Sequence, residues 1–287
     1  MYQFQYYNLA PSPHPAQTLL ERLSRCPREP DLLCYAARAG SALLCRAWLK
    51  AYHRLTIIGR ENLPASGPFV LVANHSSHLD TLCLLAALPM HKLHNTYPAA
   101  AADYFFTSVP RIAFAAVCIN AMPFGRADHV RQTMTMCREI LSGGENVLIV
   151  FPEGTRTTDG KVGAFRRGIG DLVAGRKVHV VPCHLEGAFE AMPRGRWFPR
   201  PRKLTLRIGS PMNFEDRDAS KADAIEISAQ LRDAVVALRA IPSPGTPGEG
   251  EGGGFEISAL DSRIQKTPTP ALPRGTRGGG TAEGVLS

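Results

Sequence analysis

The sequence lacks several features that would place it in a familiar class. No stretch of about 18 apolar residues is free of charged side chains, so we expect no transmembrane span. The first 17 residues do not have the basic and then apolar order of a secretory signal. No G-x-G-x-x-G motif follows the first predicted strand and no P-loop motif is present, which argues against dinucleotide and ordinary nucleotide sites.

Cysteine is present but is not arranged for disulfide or zinc binding. The seven cysteines are scattered and odd in number, with no C-x-x-C pair and no clustered zinc spacing. They are Cys26, Cys34, Cys45, Cys83, Cys118, Cys137 and Cys183. We therefore expect reduced thiols in a protein that faces the cytosol.

The composition is that of an ordinary globular protein, with 44% hydrophobic and 20% charged residues among 287. It excludes full-length disorder, a collagen-like chain and a coiled-coil rod. The 33 Lys and Arg residues outnumber the 25 Asp and Glu residues, which gives a net charge of +8. This charge favours phosphate esters, anionic lipid or nucleic acid as partners, and does not choose among them.

The two ends of the chain differ from its middle. Residues 241–287 contain 11 Gly and 6 Pro with almost no apolar periodicity, which predicts a disordered tail. Residues 1–30 contain several prolines and are irregular. The sequence thus divides into an N-terminal segment 1–54, a domain over 55–240 and a tail over 241–287.

The segment from Asp31 to Arg54 has the pattern of a basic amphipathic helix. The cations Arg38, Arg46, Lys50 and Arg54 fall within about 160° of one another on a helical wheel, opposite Leu, Cys, Ala and Trp. Such a helix fits a membrane surface, and it equally fits a helix that packs on its own domain. The pattern leaves both interpretations open.

Short β-rich runs alternate with helical patterns over the middle of the chain. The runs are LTIIG (55–59), FVLVAN (69–74), VLIVF (147–151), VHVVP (178–182) and LTLRIG (204–209). Helical patterns cover 81–88, 128–141, 165–174 and 220–240. This alternation predicts an α/β fold with a mixed, largely parallel sheet flanked by helices.

The first group of chemical residues is NHSSHLD (74–80), which follows a buried strand. His75 and Asp80 point about 140° apart on a regular helix, so they meet only if His75 lies in the turn and Asp80 in the first helical turn. A carboxylate on one imidazole nitrogen would then make the other nitrogen a general base. Two alternatives remain open: a capped polar turn, and a metal site formed by His75, His78 and Asp80.

The second group is FPEGTRTTDGKVGAFRRG (151–168), which also follows an apolar strand. Its glycine permits a close backbone approach, and its threonine and arginines are donors suited to phosphate. A charged surface loop is the alternative. The residues of interest are Glu153, Gly154, Thr155 and Arg156, with Arg166 and Arg167 further along and Arg126 in the separate stretch NAMPFGR (120–126).

A third segment, PRGRWFPRPRK (193–203), is basic and has Trp197 and Phe198 at its middle. Such a segment suits a bilayer surface, a nucleic acid or simply an exposed loop. We favour the bilayer surface over nucleic acid, because no fold signature of a nucleic-acid-binding protein accompanies the segment.

Together these residues resemble the glycerolipid acyltransferase family, specifically its lysophosphatidic acid acyltransferase group. NHSSHLD resembles the family's N-H-x-x-x-x-D motif, FPEGTR its third motif and VVPCHLEG (180–187) its fourth, in the same order over about residues 55–210. The sequence departs from the family at the second motif, where Asn120 replaces the usual Gly and Pro123 interrupts the apolar run. Asn tolerates left-handed backbone, so the turn can survive the replacement.

The resemblance implies a role for each matching residue. His75 would be the general base and Asp80 its orienting partner. Arg126, Glu153, Gly154, Thr155 and Arg156 would bind the phosphorylated acceptor. Pro182 would shape the acyl site, whereas Cys183 matches no catalytic position and is interpreted as a core thiol.

The implied reaction transfers an acyl chain from acyl-CoA or acyl carrier protein to 1-acylglycerol-3-phosphate and gives phosphatidic acid. It requires no metal and no cofactor, because the thioester is already activated. A peripheral or monotopic enzyme on the cytoplasmic face of the inner membrane is expected, with contacts near residues 31–54 and 193–203. The alternatives are another lyso-lipid acceptor, a non-catalytic membrane-binding protein of the same fold, and a metallohydrolase.

Overall fold

The computed structural model describes residues 32–101, 118–124, 130–196 and 198–241. The chain divides into two units, Met1–Pro244 and Gly245–Ser287, and the second unit lies wholly outside the described residues. So do Arg126, Trp197, the segment before residue 32 and almost all of the predicted tail. The predictions made for these parts of the chain stay predictions.

Six α-helices and seven strands occur in the described residues. The helices are α1 (Leu32–Tyr52), α2 (Leu79–Ala87), α3 (Val130–Ser142), α4 (Gly168–Val173), α5 (Ala188–Ala191) and α6 (Lys221–Ala237). The strands are β1 (Thr56–Ile58), β2 (Phe69–Ala73), β3 (Thr96–Ala101), β4 (Met122–Phe124), β5 (Val147–Val150), β6 (His179–Glu186) and β7 (Thr205–Ile208). Short 3-10 turns cover Arg60–Asn62, Met90–Asn95 and Leu238–Ala240.

The strands form one sheet in the order β1-β7-β6-β2-β5-β3-β4. All neighbouring pairs are parallel except β6 and β7, which are antiparallel. The predicted α/β fold with a mixed, largely parallel sheet is therefore confirmed. Because β2 lies between the parallel strands β5 and β6, the residues that follow β2 and β5 emerge at the same edge of the sheet.

The core lies on both faces of the sheet. Every residue of β2 is buried, as the uninterrupted apolar run FVLVA predicts. On one face Leu49 of α1 and Leu84 of α2 pack against the strands, and on the other face Leu172 of α4 and Leu231 of α6 do so. The sheet is thus a rigid platform with two helical layers.

The structure gives the orientation of α1, which the sequence pattern leaves open. Arg38 is buried and its Nη2 donates to Asn120 Oδ1 at 3.0 Å. Arg46 donates to the carbonyl oxygen of Leu88, just after α2. These two cations point into the domain because they bind carbonyl groups there. The carbonyls at the C-terminal end of α2 have no partner within the helix and carry its negative partial charge.

The outward face of α1 is apolar instead. Leu32 is 82% exposed, Leu43 58% and Leu44 74%. The end of the helix contacts the basic segment 193–203, since the Tyr52 hydroxyl donates to the carbonyl oxygen of Pro199 at 3.1 Å. No helix among residues 32–101, 118–124, 130–196 and 198–241 is long and apolar enough to cross a membrane.

A buried histidine makes the stability of the fold depend on pH. His184 of β6 is 5% exposed and its Nδ1 has no hydrogen-bond partner among the described residues. Burial is the main cause that lowers the pKa of His184 from 6.5 to about 4. The native state therefore stays unprotonated where the unfolded chain binds a proton, and the free energy of unfolding falls as the pH drops from 6.5 towards 4.

We expect His184 to account for a loss of about 2 kcal/mol in the free energy of unfolding between pH 7 and pH 5. Urea denaturation at the two pH values measures it. His184→Gln should lose less free energy of unfolding between the two pH values than the unsubstituted protein. The matched control is the exposed His91, and His91→Gln should lose as much as the unsubstituted protein. An equal loss in His184→Gln and the unsubstituted protein would contradict the assignment.

Candidate active site

The structure brings His75 and Asp80 together at the end of β2. His75 Nδ1 lies 3.0 Å from Asp80 Oδ2. His75 is in the turn after β2, and Asp80 is the second residue of α2. This is the arrangement that the spacing requires if the two side chains are to meet. The carboxylate is fully buried and the imidazole side chain is 19% exposed.

Asp80 is held in place by more than the histidine. Its Oδ2 also accepts hydrogen bonds from the backbone N–H groups of Ser76 at 2.6 Å and Ser77 at 2.8 Å. The carboxylate lies in the first turn of α2, where the helix dipole favours negative charge. These contacts hold the buried carboxylate as an acceptor, with its charge directed at one nitrogen of His75.

Residues that follow β5 contact both the ring and the backbone of His75. The ring stacks on Phe151, which follows β5, with the centroids 4.2 Å apart. Its backbone N–H donates to Glu153 Oε1 at 2.8 Å, and its carbonyl oxygen accepts from the Thr157 N–H at 2.8 Å. Since Nδ1 is engaged by Asp80, Nε2 is the nitrogen left to take a proton from a substrate.

Asn74 locks the start of this turn onto the neighbouring strand. Its Nδ2 donates to the carbonyl oxygen of Leu185 at 3.0 Å, and its Oδ1 accepts from the Leu185 N–H at 2.8 Å. The side-chain amide thus extends the pairing of β2 with β6 beyond Ala73. The spacing of His75 and Asp80 does not predict that Asn74 pairs with the backbone of Leu185. The sequence signals for Asn74 are its position directly after a buried strand and its place at the start of NHSSHLD.

The contacts of Glu153 are with the protein backbone, whereas the resemblance implies that it binds the acceptor substrate. Both of its carboxylate oxygens are occupied: Oε1 by the His75 N–H at 2.8 Å and Oε2 by the Gly163 N–H at 3.1 Å. Burial raises the pKa of Glu153 above its ordinary value, against the effect of these two hydrogen bonds. The residue therefore joins the loop after β5 to the backbone of His75, and its structural role is to position the imidazole.

We expect Glu153→Gln to lower kcat about tenfold, because the amide group of Gln cannot accept both backbone N–H groups and a hydrogen bond to a charged group contributes about 1.5–3 kcal/mol. The acid limb of the pH profile of kcat should also shift, since Glu153 no longer titrates. Steady-state acyl-transfer kinetics measure both effects. Glu61→Gln, at an exposed glutamate, is the control, and equal kcat values for the two variants would contradict the role of Glu153.

The other residues of the segment FPEGTR line the same edge of the sheet. Gly154 has φ +75°, Thr155 is exposed and Arg156 is half-buried. His78 is near Arg156 and His75, and burial together with these two neighbours lowers the pKa of His78 to about 4. Around neutral pH the edge thus carries an uncharged His78 beside a cationic Arg156.

The alternative of a metal site formed by His75, His78 and Asp80 is not supported by the described residues. In the part of the chain that the structure describes, no three His, Cys, Asp or Glu side chains converge in a way that could hold a metal ion. Asp80 directs one oxygen at His75 and two backbone N–H groups, and His78 is not among the hydrogen-bond partners of Asp80.

Pro182 lies in the middle of β6 and not after a strand, because β6 continues to Glu186. It is buried and in register with Val72. Its carbonyl oxygen accepts from the N–H of Gly209, the residue after β7, at 2.8 Å. Cys183 is fully buried and burial raises the pKa of its thiol, as expected for a core cysteine.

Asn120 adopts the left-handed backbone that its replacement of glycine suggests, with φ 51°. Its Nδ2 donates to the carbonyl oxygens of His94 and Thr96, each at 3.0 Å, while its Oδ1 accepts from Arg38. The turn before β4 is therefore held by the side chain as well as by its backbone. The predicted phosphate contact of Arg126 lies outside the described residues and stays a prediction.

The sequence is similar to those of known acyltransferases. A sequence model of the family described as Acyltransferase matches residues 54–186. A chloroplastic 1-acyl-sn-glycerol-3-phosphate acyltransferase of Arabidopsis thaliana is 35% identical over 147 residues, which are 50% of this chain and 39% of the plant protein. The mouse 1-acyl-sn-glycerol-3-phosphate acyltransferase alpha is 25% identical over 56% of each chain.

The fold has a counterpart among solved structures. The crystal structure of the acyltransferase PlsC from Thermotoga maritima superposes with a TM-score of 0.54 at 24% identity, covering 72% of this chain and 81% of that one. Residues 54–186 thus match the model of the family described as Acyltransferase, and the chain has the α/β fold of PlsC. The chain spans about two fifths of the Arabidopsis protein and just over half of the mouse protein.

Proposed function

We propose that this protein transfers an acyl chain from a thioester to the free hydroxyl of 1-acylglycerol-3-phosphate, giving phosphatidic acid for phospholipid synthesis. The observation that carries the proposal is the contact of His75 Nδ1 with the buried Asp80 at the edge of the sheet where the arginine-containing loop also emerges. The similarity to 1-acyl-sn-glycerol-3-phosphate acyltransferases of plants and mammals supports the choice of acceptor.

The proposed chemistry uses one proton acceptor and no covalent enzyme intermediate. His75 Nε2 takes the proton of the acceptor hydroxyl as its oxygen attacks the thioester carbonyl, and Asp80 stabilises the imidazolium that forms. The tetrahedral intermediate then breaks its carbon–sulfur bond, and the departing thiolate takes the proton from His75. The products are the new ester and a free thiol, so protons and electrons balance without a metal or cofactor.

Cations at the edge of the sheet would hold the acceptor. Arg156 follows Glu153 by three positions and is close enough to His78 to affect its pKa. We assign Arg156, with Arg126, to the phosphate of the acceptor, because a guanidinium matches phosphate oxygens in a bidentate manner. Fixing the phosphate places the hydroxyl near His75, and such positioning contributes several powers of ten to a rate.

We further propose that the protein binds the cytoplasmic face of the cell membrane as a peripheral or monotopic enzyme. The exposed Leu43 and Leu44 of α1 would enter the bilayer interface, with the basic segment 193–203 beside the headgroups. The Tyr52–Pro199 contact supports this arrangement, because it joins the end of α1 to that segment. Acyl-CoA and acyl carrier protein, the proposed donors, are available on this side.

The acceptor is tested by giving the purified protein a panel of lipids. We expect phosphatidic acid from 1-acylglycerol-3-phosphate with acyl-CoA or acyl carrier protein, identified by mass spectrometry. A preference for a phosphate-free lyso-lipid would contradict the phosphate role of Arg156 and favour the alternative acceptor. No product with any acceptor, together with binding to vesicles, would favour a non-catalytic membrane-binding protein.

Membrane binding is tested by flotation with vesicles that contain anionic lipid. We expect the double substitution Leu43→Gln and Leu44→Gln to reduce binding at least about tenfold, because burying each leucine contributes about 1.5–3 kcal/mol. Ile225 is 51% exposed on α6, the helix whose Leu231 packs on the opposite face of the sheet, so Ile225→Gln is the matched control. Equal binding of the double variant and the control would contradict the assigned surface.

A further inference from the structure

One arginine beside the candidate site has no role in the function proposed above. The side chain of Arg166 lies directly over Gly154. A Cβ atom at Gly154 would be 2.6 Å from Arg166 Nε and 2.8 Å from its Cζ. Any side chain at position 154 would therefore displace the guanidinium, so the glycine provides the space that Arg166 occupies.

The backbone of Arg166 is anchored on both sides. Its N–H donates to the carbonyl oxygen of Pro152 at 2.9 Å, and its own carbonyl oxygen lies 3.3 Å from the hydroxyl of Ser228 in α6. The preceding loop is also fixed to α6, since Arg232 Nε donates to the carbonyl oxygen of Gly163 at 3.1 Å. The backbone that carries the Arg166 side chain is thus fixed, which limits the entropy that the loop loses when the side chain binds a ligand.

The charge of Arg166 is not neutralised within the described residues. No ion pair there involves it, whereas its neighbour Arg167 has its Nε 3.6 Å from Asp171 Oδ2. The carboxylate of Glu153, the residue before Gly154, has both oxygens engaged by backbone N–H groups. Arg166 is exposed to solvent and so remains accessible to an anionic ligand.

Arg166 lies at the same edge of the sheet as the histidine. Gly154, on which it rests, follows directly after Glu153, whose Oε1 binds the His75 N–H. Thr157, from the same loop, donates its N–H to the carbonyl oxygen of His75 at 2.8 Å. Glu153 and Thr157 of this loop thus contact the backbone of His75. Arg156 and Gly154, over which Arg166 lies, are between these two residues in the sequence.

We propose that Arg166, resting on Gly154, binds a phosphate ester of one of the substrates. This inference depends on the proposed acyl transfer, in which two phosphate esters reach the site. One is the phosphate of the acceptor, and the other is the phosphopantetheine group of the thioester donor. Both present anionic phosphate oxygens that a guanidinium binds through two parallel hydrogen bonds.

The test compares Arg166→Gln with Arg167→Gln, its adjacent matched control. Steady-state kinetics use 1-acylglycerol-3-phosphate or monoacylglycerol as acceptor, and acyl-CoA or a phosphate-free acyl thioester as donor. We expect Arg166→Gln to raise the KM of the phosphorylated substrate at least about tenfold with little change in kcat, because a charged hydrogen bond is lost. The KM of the matching phosphate-free substrate should not change, and this identifies which substrate Arg166 contacts.

Binding of glycerol-3-phosphate and of CoA by calorimetry gives a readout that does not need turnover. Arg166→Gln should weaken the binding of one of these two ligands about tenfold. Arg167→Gln should leave the binding of both ligands unchanged. Gly154→Ala as a single substitution should weaken binding of the same ligand. Added to Arg166→Gln, it should weaken that binding less. Unchanged binding and KM values in Arg166→Gln, or equal effects of the two arginine variants, would overturn the inference while acyl transfer by the unsubstituted protein stood.

Discussion

His75→Ala should reduce kcat for acyl transfer by roughly 10²–10⁴-fold, the usual contribution of a general base. The imidazole is the group that Asp80 orients at 3.0 Å, and its free Nε2 is the proposed proton acceptor. Because the imidazole also stacks on Phe151, the variant should lose some thermal stability, and the melting temperature must show that it is still folded.

The matched control for His75 is His78, a half-buried histidine three positions along the same turn. Burial, Arg156 and His75 lower the pKa of His78 to about 4, and the hydrogen bonds of Asp80 go to His75, Ser76 and Ser77. His78→Ala should therefore lose far less activity than His75→Ala. A folded His75→Ala variant that retained the kcat of His78→Ala would rule out the imidazole as the base.

Asp80→Asn should lower kcat at least about 10²-fold while leaving the fold largely intact. The carbonyl oxygen of Asn can still accept from the Ser76 and Ser77 N–H groups, but the negative charge that stabilises the imidazolium is lost. Asp80→Ala is a poorer test, because it leaves buried backbone donors without a partner at about 1–3 kcal/mol each.

The two Asp80 variants separate catalysis from stability. Denaturant unfolding should show a small change for Asp80→Asn and a large loss for Asp80→Ala, since only the second removes the acceptor of the hydrogen bonds from Ser76 and Ser77. Steady-state kinetics of Asp80→Asn then report the electrostatic role alone. A kcat close to that of the unsubstituted protein in Asp80→Asn would show that the carboxylate only supports the turn.

The contact between His75 and Asp80 was predictable because it depends on local geometry. The buried run FVLVA ends at Ala73, and Asp80 lies in the first turn of the next helix, so the spacing places both side chains in one turn. The family resemblance, in which Asn120 stands where glycine is usual, predicts a left-handed backbone at this residue, and its φ of 51° agrees.

The orientation of α1 could not be predicted, because it depends on groups distant in sequence. A helical wheel shows that Arg38 and Arg46 share a side, but their partners are Asn120 and the carbonyl oxygen of Leu88. The role of Glu153 is hidden for the same reason, since its partners are backbone N–H groups that no sequence pattern marks.

Two strands were also absent from the predicted set. The segments β3 (TYPAAA) and β4 (MPF) contain proline and lack the β-branched runs that mark the other strands. They form because they pair in parallel with each other, and β3 pairs with β5. Their place in the sheet is a tertiary effect, which local propensity does not contain.

The most direct test of the proposed mechanism is the release of free thiol from acyl-CoA by the purified protein, with and without detergent-dispersed 1-acylglycerol-3-phosphate. We expect thiol release to require the acceptor, because no acyl group is stored on the enzyme, and to be roughly 10²–10⁴-fold slower in His75→Ala. Thiol release at equal rates in the unsubstituted protein and a folded His75→Ala variant would contradict the account, and so would a stoichiometric burst of thiol without acceptor.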